Sequence, residues 1–181
     1  MIYYSIPYNK EKNIGKFYND FINLLPNDDD YACFVDGDTI FTTTNYGTII
    51  ENVIKQYPDV GCFTCVTNRV NSKWQISPGV DIKNNDIEYH RTYGKKIQDI
   101  YSSFCIDVTN ENRYLLSGVL ILIKKKTWLK IGEFKEGGML GIDNDIHRKI
   151  KANNEKLYLM IGVYLYHWYR NNNNKDTKHL I

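Results

Sequence analysis

Apolar positions along the chain follow two rhythms. Ile14, Phe17, Tyr18, Phe21, Ile22 and Leu25 recur at three- and four-residue intervals, the repeat of one buried helical stripe, and Pro26 stops it. Tyr46, Ile49, Ile50, Val53, Ile54 and Tyr57 repeat that pattern ahead of Pro58. Residues 31–35 (Tyr-Ala-Cys-Phe-Val) instead run apolar without alternation, as a strand covered on both faces does, and 119–123 does the same. Further strands are predicted at 2–6, 60–67, 104–108 and 156–166. Further helices are predicted from Asp86 to about residue 101, interrupted near Gly94, at 127–131 before Gly132, and at 143–152. Between the strand at 60–67 and the helix opened by Asp86 lies a long polar stretch, 68–85, of a length that in a compact domain is usually either functional or misread as loop.

Strands alternating with helices predict an α/β fold: a mostly parallel, Rossmann-like central sheet with helices on both faces, whose ligands bind beyond the carboxyl ends of the strands. One domain is expected over 1–170, followed by a polar tail, 171–181, too low in complexity to pack. Charge adds an exclusion. With 23 basic and 21 acidic residues and a net charge of +2, the chain has no field that would gather nucleic acid non-specifically. The longest apolar runs are broken by Lys124, Lys125 and Lys126 or by Gly162, too early to span a bilayer, and the start lacks the ordered parts of a signal peptide. A soluble, cytoplasmic protein is the expectation. Cys33, Cys62, Cys65 and Cys105 are too few to staple a chain of this size; Cys62 and Cys65 match C-x-x-C but have no second ligand pair, and their strand-like flanks turn them to opposite faces. Reduced, buried thiols follow.

Three segments carry chemistry. Asp36-Gly37-Asp38 comes where a buried strand ends and the chain must turn, the ligand edge of such a sheet. Two hard oxygen donors suit Mg²⁺ or Mn²⁺, which complete their coordination with phosphate oxygens and water, and Gly37 is expected to let the backbone fold tightly between the acids. Asp and Gly also favour plain turns, so a solvated turn remains open. A phosphatase that places a nucleophilic and an acid-base Asp two apart fits less well, because its threonine would fall at Ile40 and stands one place early, at Thr39. Next, Gly137-Gly138-Met139-Leu140-Gly141 leads to Asp143 and Asp145 at a helix start, where a carboxylate could take a proton from an acceptor hydroxyl. The alternative is capping by Asp143, with Asp145 paired to Arg148 or Lys149. Finally, His167 and Arg170 follow the last buried strand, where imidazole could ligate the same cation and guanidinium could balance diphosphate charge.

In this order these segments resemble the GT-A glycosyltransferases, particularly family-two-like proteins and, in the C-terminal half, the polypeptide N-acetylgalactosaminyltransferases. Residues 12–19 look like the helix before the metal motif and Asp36-Gly37-Asp38 like the DxD. Ser117-Gly118-Val119-Leu120 looks like the small-residue strand before the acceptor region, and 141–148 with His167 like the closing acidic helix and metal-binding histidine. The resemblance implies a metal site of Asp36, Asp38 and His167 holding Mn²⁺ or Mg²⁺, with Asp143 or its rival Asp145 acting on the acceptor. It implies donor contacts from Ser5, Pro7, Tyr8, Asn13, Asp36, Gly37 and Arg170, and substrate contacts from Ser117, Gly118 and Trp168; Trp74, in the polar stretch, reads equally as an acceptor contact or as an ordered loop anchor. The activity implied is transfer of a hexosyl or N-acetylhexosaminyl group from a nucleotide sugar, taken as a UDP-sugar, to a hydroxyl of a glycan or similar acceptor. Relative to the family the segment ahead of the DxD is short, so a minimal N-terminal part is expected. Two rivals stay open: a metal-dependent phosphohydrolase or nucleotidyltransferase on the same acidic strand end, and a non-catalytic nucleotide-sugar-binding module. Trp128, on a short helix beside a core strand, reads as packing, whereas Trp168 and Tyr169 could form a lid.

Overall fold

The computed structural model describes residues 1–169; Arg170 and the expected tail lie outside them. Strands β1 (Ile2–Ser5), β2 (Tyr31–Val35), β3 (Thr39–Phe41), β4 (Cys62–Thr67), β5 (Cys105–Asp107), β6 (Leu120–Lys124) and β7 (Leu157–His167) form one sheet. Its order is β1-β2-β6-β4-β7-β3, with β5 beside β7. The helices are α1 (Ile14–Asn23), α2 (Tyr46–Gln56), α3 (Ile87–Tyr101), α4 (Lys125–Ile131) and α5 (Ile142–Ala152). Among the described residues no helix is long and apolar enough to cross a membrane.

The sheet is mixed, which corrects the expected mostly parallel arrangement. β1 pairs parallel with β2, but β6 runs antiparallel to both β2 and β4, and β3 antiparallel to β7. Continuous apolar runs such as 119–123 report burial on both faces and carry no information on direction. β3 itself escaped the sequence pattern, because three residues, Thr39–Phe41, are too short for a period to register. Gly94 does not interrupt α3. The helix is continuous, and a Cβ at this buried glycine would collide with the side chain of Thr42, so the residue serves close packing. Nor does Asp143 cap α5; the cap is Gly141 in the left-handed region (φ 77°), and Asp143 lies inside the first turn.

By contacts the chain divides into two compact units, the first comprising Met1–Gly37, Asp59–Thr64 and Asp107–Tyr158, the second Asp38–Pro58, Cys65–Ile106 and the chain from Leu159. In the first, the stripe on α1 packs as its spacing demands: the Tyr18 ring lies 4.2 Å from Phe34 and 4.8 Å from Phe134, and Ile22 is fully buried. Asn19, on the same helix, is buried because its amide is satisfied. Its Oδ1 accepts from the Phe134 N–H (2.8 Å) and the Trp128 indole N–H (3.3 Å), and its Nδ2 donates to the Phe134 carbonyl (3.0 Å). Trp128 is buried there as a packing residue. In the second unit, Thr42 Oγ1 donates to the Tyr164 carbonyl (3.0 Å), and the polar stretch 68–85 proves to be built structure. It contains a 3₁₀ turn at Lys73–Gln75, and the Ser77 N–H returns to the Thr67 carbonyl (2.8 Å). All four cysteines are free and buried, and burial pushes the Cys105 thiol up to about 12.

Candidate metal centre

β2 is buried along its whole length and hands the chain to Asp36, whose N–H still donates to the Val119 carbonyl (3.1 Å). Beyond Gly37 the chain enters β3. Gly37 does not have a positive φ, and a Cβ there would make only ordinary contact with Ile6, so the turn between the acids does not need glycine's conformational freedom; that expectation is corrected. What places the acid is β3. Its antiparallel register sets Thr39 opposite His167, and the Trp168 N–H donates to the Asp38 carbonyl (2.9 Å). The Asp38 carboxylate thereby comes 3.3 Å from His167 Nε2. A hydrogen bond with His167 holds the Asp38 carboxyl below the usual carboxylate range, against the opposing pull of partial burial.

His167 is gripped at two points. Its backbone N–H donates to Asn68 Oδ1 (2.7 Å), and its Nδ1 stands 2.7 Å from the Arg69 carbonyl. A carbonyl oxygen can only accept, so Nδ1 carries a proton and Nε2 is the nitrogen turned to Asp38. Asp36 stands two residues before Asp38, and one ligand atom from each of Asp36, Asp38 and His167 lies within 4.8 Å of the others. Two carboxylates and an imidazole anchored through its far nitrogen make a donor set that fits a divalent cation.

The remaining candidates are placed as follows. Asp143 Oδ2 accepts from the Gly118 N–H (3.0 Å) and its Oδ1 from the Asn144 N–H (2.9 Å), so Gly118 and Asp143 are brought together with Ser117 next in the chain. Within the first unit, Asp36 and Asp143 both lie close enough to Tyr18 that, after burial, their charges help push its phenol up. Asp145 turns to Lys149 instead (2.9 Å), the helix pairing anticipated as its alternative. Asn13 caps α1 through Oδ1, which accepts from Lys16 N–H (3.2 Å) and also from Gly137 N–H (3.1 Å). Ser5 ends β1 opposite Phe34, Pro7 follows it and Tyr8 is exposed. Trp74 sits in the 3₁₀ turn, and Trp168 is 43% exposed with its ring edge-on to Tyr166. Arg170 lies outside the described residues.

Sequence reasoning missed Asn68 and Arg69 as partners of His167 and Tyr18 as the neighbour of two acids. The first pair had a signal: both follow the buried run of β4 directly, at a strand end. Tyr18 had none, since the helical stripe accounts for it fully. No family model, curated protein or solved structure matches the chain.

Proposed function

We propose that the protein is a metal-dependent glycosyltransferase of the GT-A kind, transferring a sugar from a nucleoside-diphosphate donor to a hydroxyl. The observation that carries this reading is the Asp36, Asp38 and His167 cluster within 4.8 Å. When bound there, Mn²⁺ or Mg²⁺ would supply Lewis-acid stabilisation of the charge that grows on a departing diphosphate. Asp36, Asp38 and His167 would hold the ion, His167 through Nε2. Asp143, fixed by Gly118 N–H and set at the first turn of α5, would receive the proton of the attacking hydroxyl. Ser117 and Gly118 would contact the acceptor, and Ser5, Pro7 and Tyr8 the nucleoside.

Titrating Mn²⁺ by calorimetry, alone and then with uridine diphosphate, while following the melting temperature, tests the reading. A ligand that binds only the folded state raises that temperature, and the diphosphate should do so only with the metal present. Absence of Mn²⁺ binding to the wild type would sink it. Product analysis with nucleotide sugars then divides transfer from hydrolysis.

A further inference from the structure

Consecutive residues, Asn68 and Arg69, hold one histidine by two different handles. We propose that they are positioning residues for His167, fixing which ring nitrogen faces Asp38; the use of that orientation in metal binding rests on the functional reading above. Asn68 is fully buried, and its Nδ2 has no partner among the described residues, a costly arrangement for an amide. Its Oδ1 accounts for the residue type: it accepts from the His167 N–H at 2.7 Å and from the Thr67 hydroxyl at 3.2 Å. The strand end is thereby pinned where β7 meets β3. Arg69 then supplies the second handle from its backbone, the carbonyl that receives Nδ1–H.

A backbone carbonyl orients a ring only if its own segment is rigid, and the Arg69 side chain provides that rigidity. Its guanidinium is buried and held by oxygens on two sides. Nε donates to the Ile82 carbonyl, Nη2 to the Asn84 carbonyl (3.1 Å) and to Asn85 Oδ1, and Nη1 reaches the Trp168 carbonyl (3.4 Å). The last contact returns to the residue after His167. Asn84 is tied in turn to His90, whose Nε2 lies 3.0 Å from the same carbonyl. The planar fork of arginine meets these separated acceptors, and the single ammonium of lysine does not. The imidazole is thus clamped between a strand end and a braced loop, with Nδ1 committed and Nε2 turned to the acid. A ligand's far nitrogen held by a backbone carbonyl raises the basicity of the near one and removes the freedom to flip.

Long-range ¹H–¹⁵N NMR on the metal-free protein at about pH 8, above the ordinary imidazole range, reads the result directly. The His167 signal is identified by its loss in His167→Gln. The wild type should show Nδ1 protonated, whatever Nε2 carries. Asn68→Leu and Arg69→Lys should both show the proton shared between the two nitrogens, and Mn²⁺ affinity should fall about 10- to 100-fold in each. A wild-type ring with its proton on Nε2 and none on Nδ1 overturns the proposal. So does an unchanged signal with unchanged Mn²⁺ affinity in the folded variants; where Asn68→Leu does not fold, Arg69→Lys alone decides. A wild type that shows the Nδ1 signature but binds no Mn²⁺ upholds the positioning and defeats the metal reading, so the two failures are separable.

Discussion

His147 and His167 are both buried, one in each compact unit, and they differ in what their second nitrogen meets. His147 Nδ1 accepts from the Leu116 N–H (3.0 Å) and its Nε2 donates to the Thr109 carbonyl (3.1 Å), so both valences are closed by backbone. Burial, ahead of its other influences, lowers its pKa. His167 closes only Nδ1 on backbone and turns Nε2 to a carboxylate that is itself half exposed. Burial therefore does not distinguish the two rings. What does is the second nitrogen: that of His167 faces a half-exposed carboxylate 3.3 Å away, where either a proton or a cation can stand between the two groups.

The comparison breaks most sharply at Asp38. Asp38→Ala should abolish Mn²⁺ binding measured by calorimetry, a loss of about hundredfold or more, with the fold intact because the side chain is half exposed. Undiminished affinity would place His167 with His147 as a packing residue. Asp143→Asn sharpens the contrast from the other unit: on the proposed function, which gives Asp143 the acceptor's proton and no place at the cation, transfer measured by product formation should fall about hundredfold or more while Mn²⁺ affinity holds. His147→Ala should do the reverse, costing about 2–4 kcal/mol in urea unfolding by opening a cavity and stranding the Leu116 N–H and Thr109 carbonyl, with Mn²⁺ affinity retained.

Proton linkage follows from the same closure. Burial lowers the folded-state pKa of both His90 and His147 below 6.5, so the unfolded chain takes up protons first as the medium is acidified. Their contribution to stability is complete above pH 6.5 and is lost as pH falls from there through the folded-state values. The melting temperature should drop as pH falls below about 6.5, and His147→Gln should flatten that slope. A slope unaltered in His147→Gln would mean that the ring is not held neutral. The smallest effect belongs to Asp145→Ala, which breaks one helix ion pair with Lys149 and should cost about 0.5 kcal/mol in the same unfolding assay, without touching Mn²⁺ binding.

Much of the fold was legible because its long elements repeat. The stripes on α1 and α2 and the unbroken runs of β2, β6 and β7 appear in the structure within a residue or two of where periodicity puts them. Gly94 misled because glycine marks a break and a close contact with the same letter; only packing against Thr42 tells them apart. At the site, Asp36 and Asp38 could be picked out by their place at the end of a buried strand, and His167 by the end of another. Their meeting was an expectation of the resemblance and not of any local pattern, because it depends on β3, three residues long, and on a register that sets Thr39 across from His167. Asn68 and Arg69 stayed hidden in a polar stretch that reads as loop until its hydrogen bonds are seen.

By itself the sequence determined the elements, their buried faces and the strand ends at which polar groups emerge, since these follow from local periodicity and from the cost of burying charge. Strand direction, the pairing of Asp38 with His167, and the choice of the histidine nitrogen that faces the acid were decided only by tertiary structure. Each depends on backbone hydrogen bonds between segments far apart in the chain, and no local pattern encodes them.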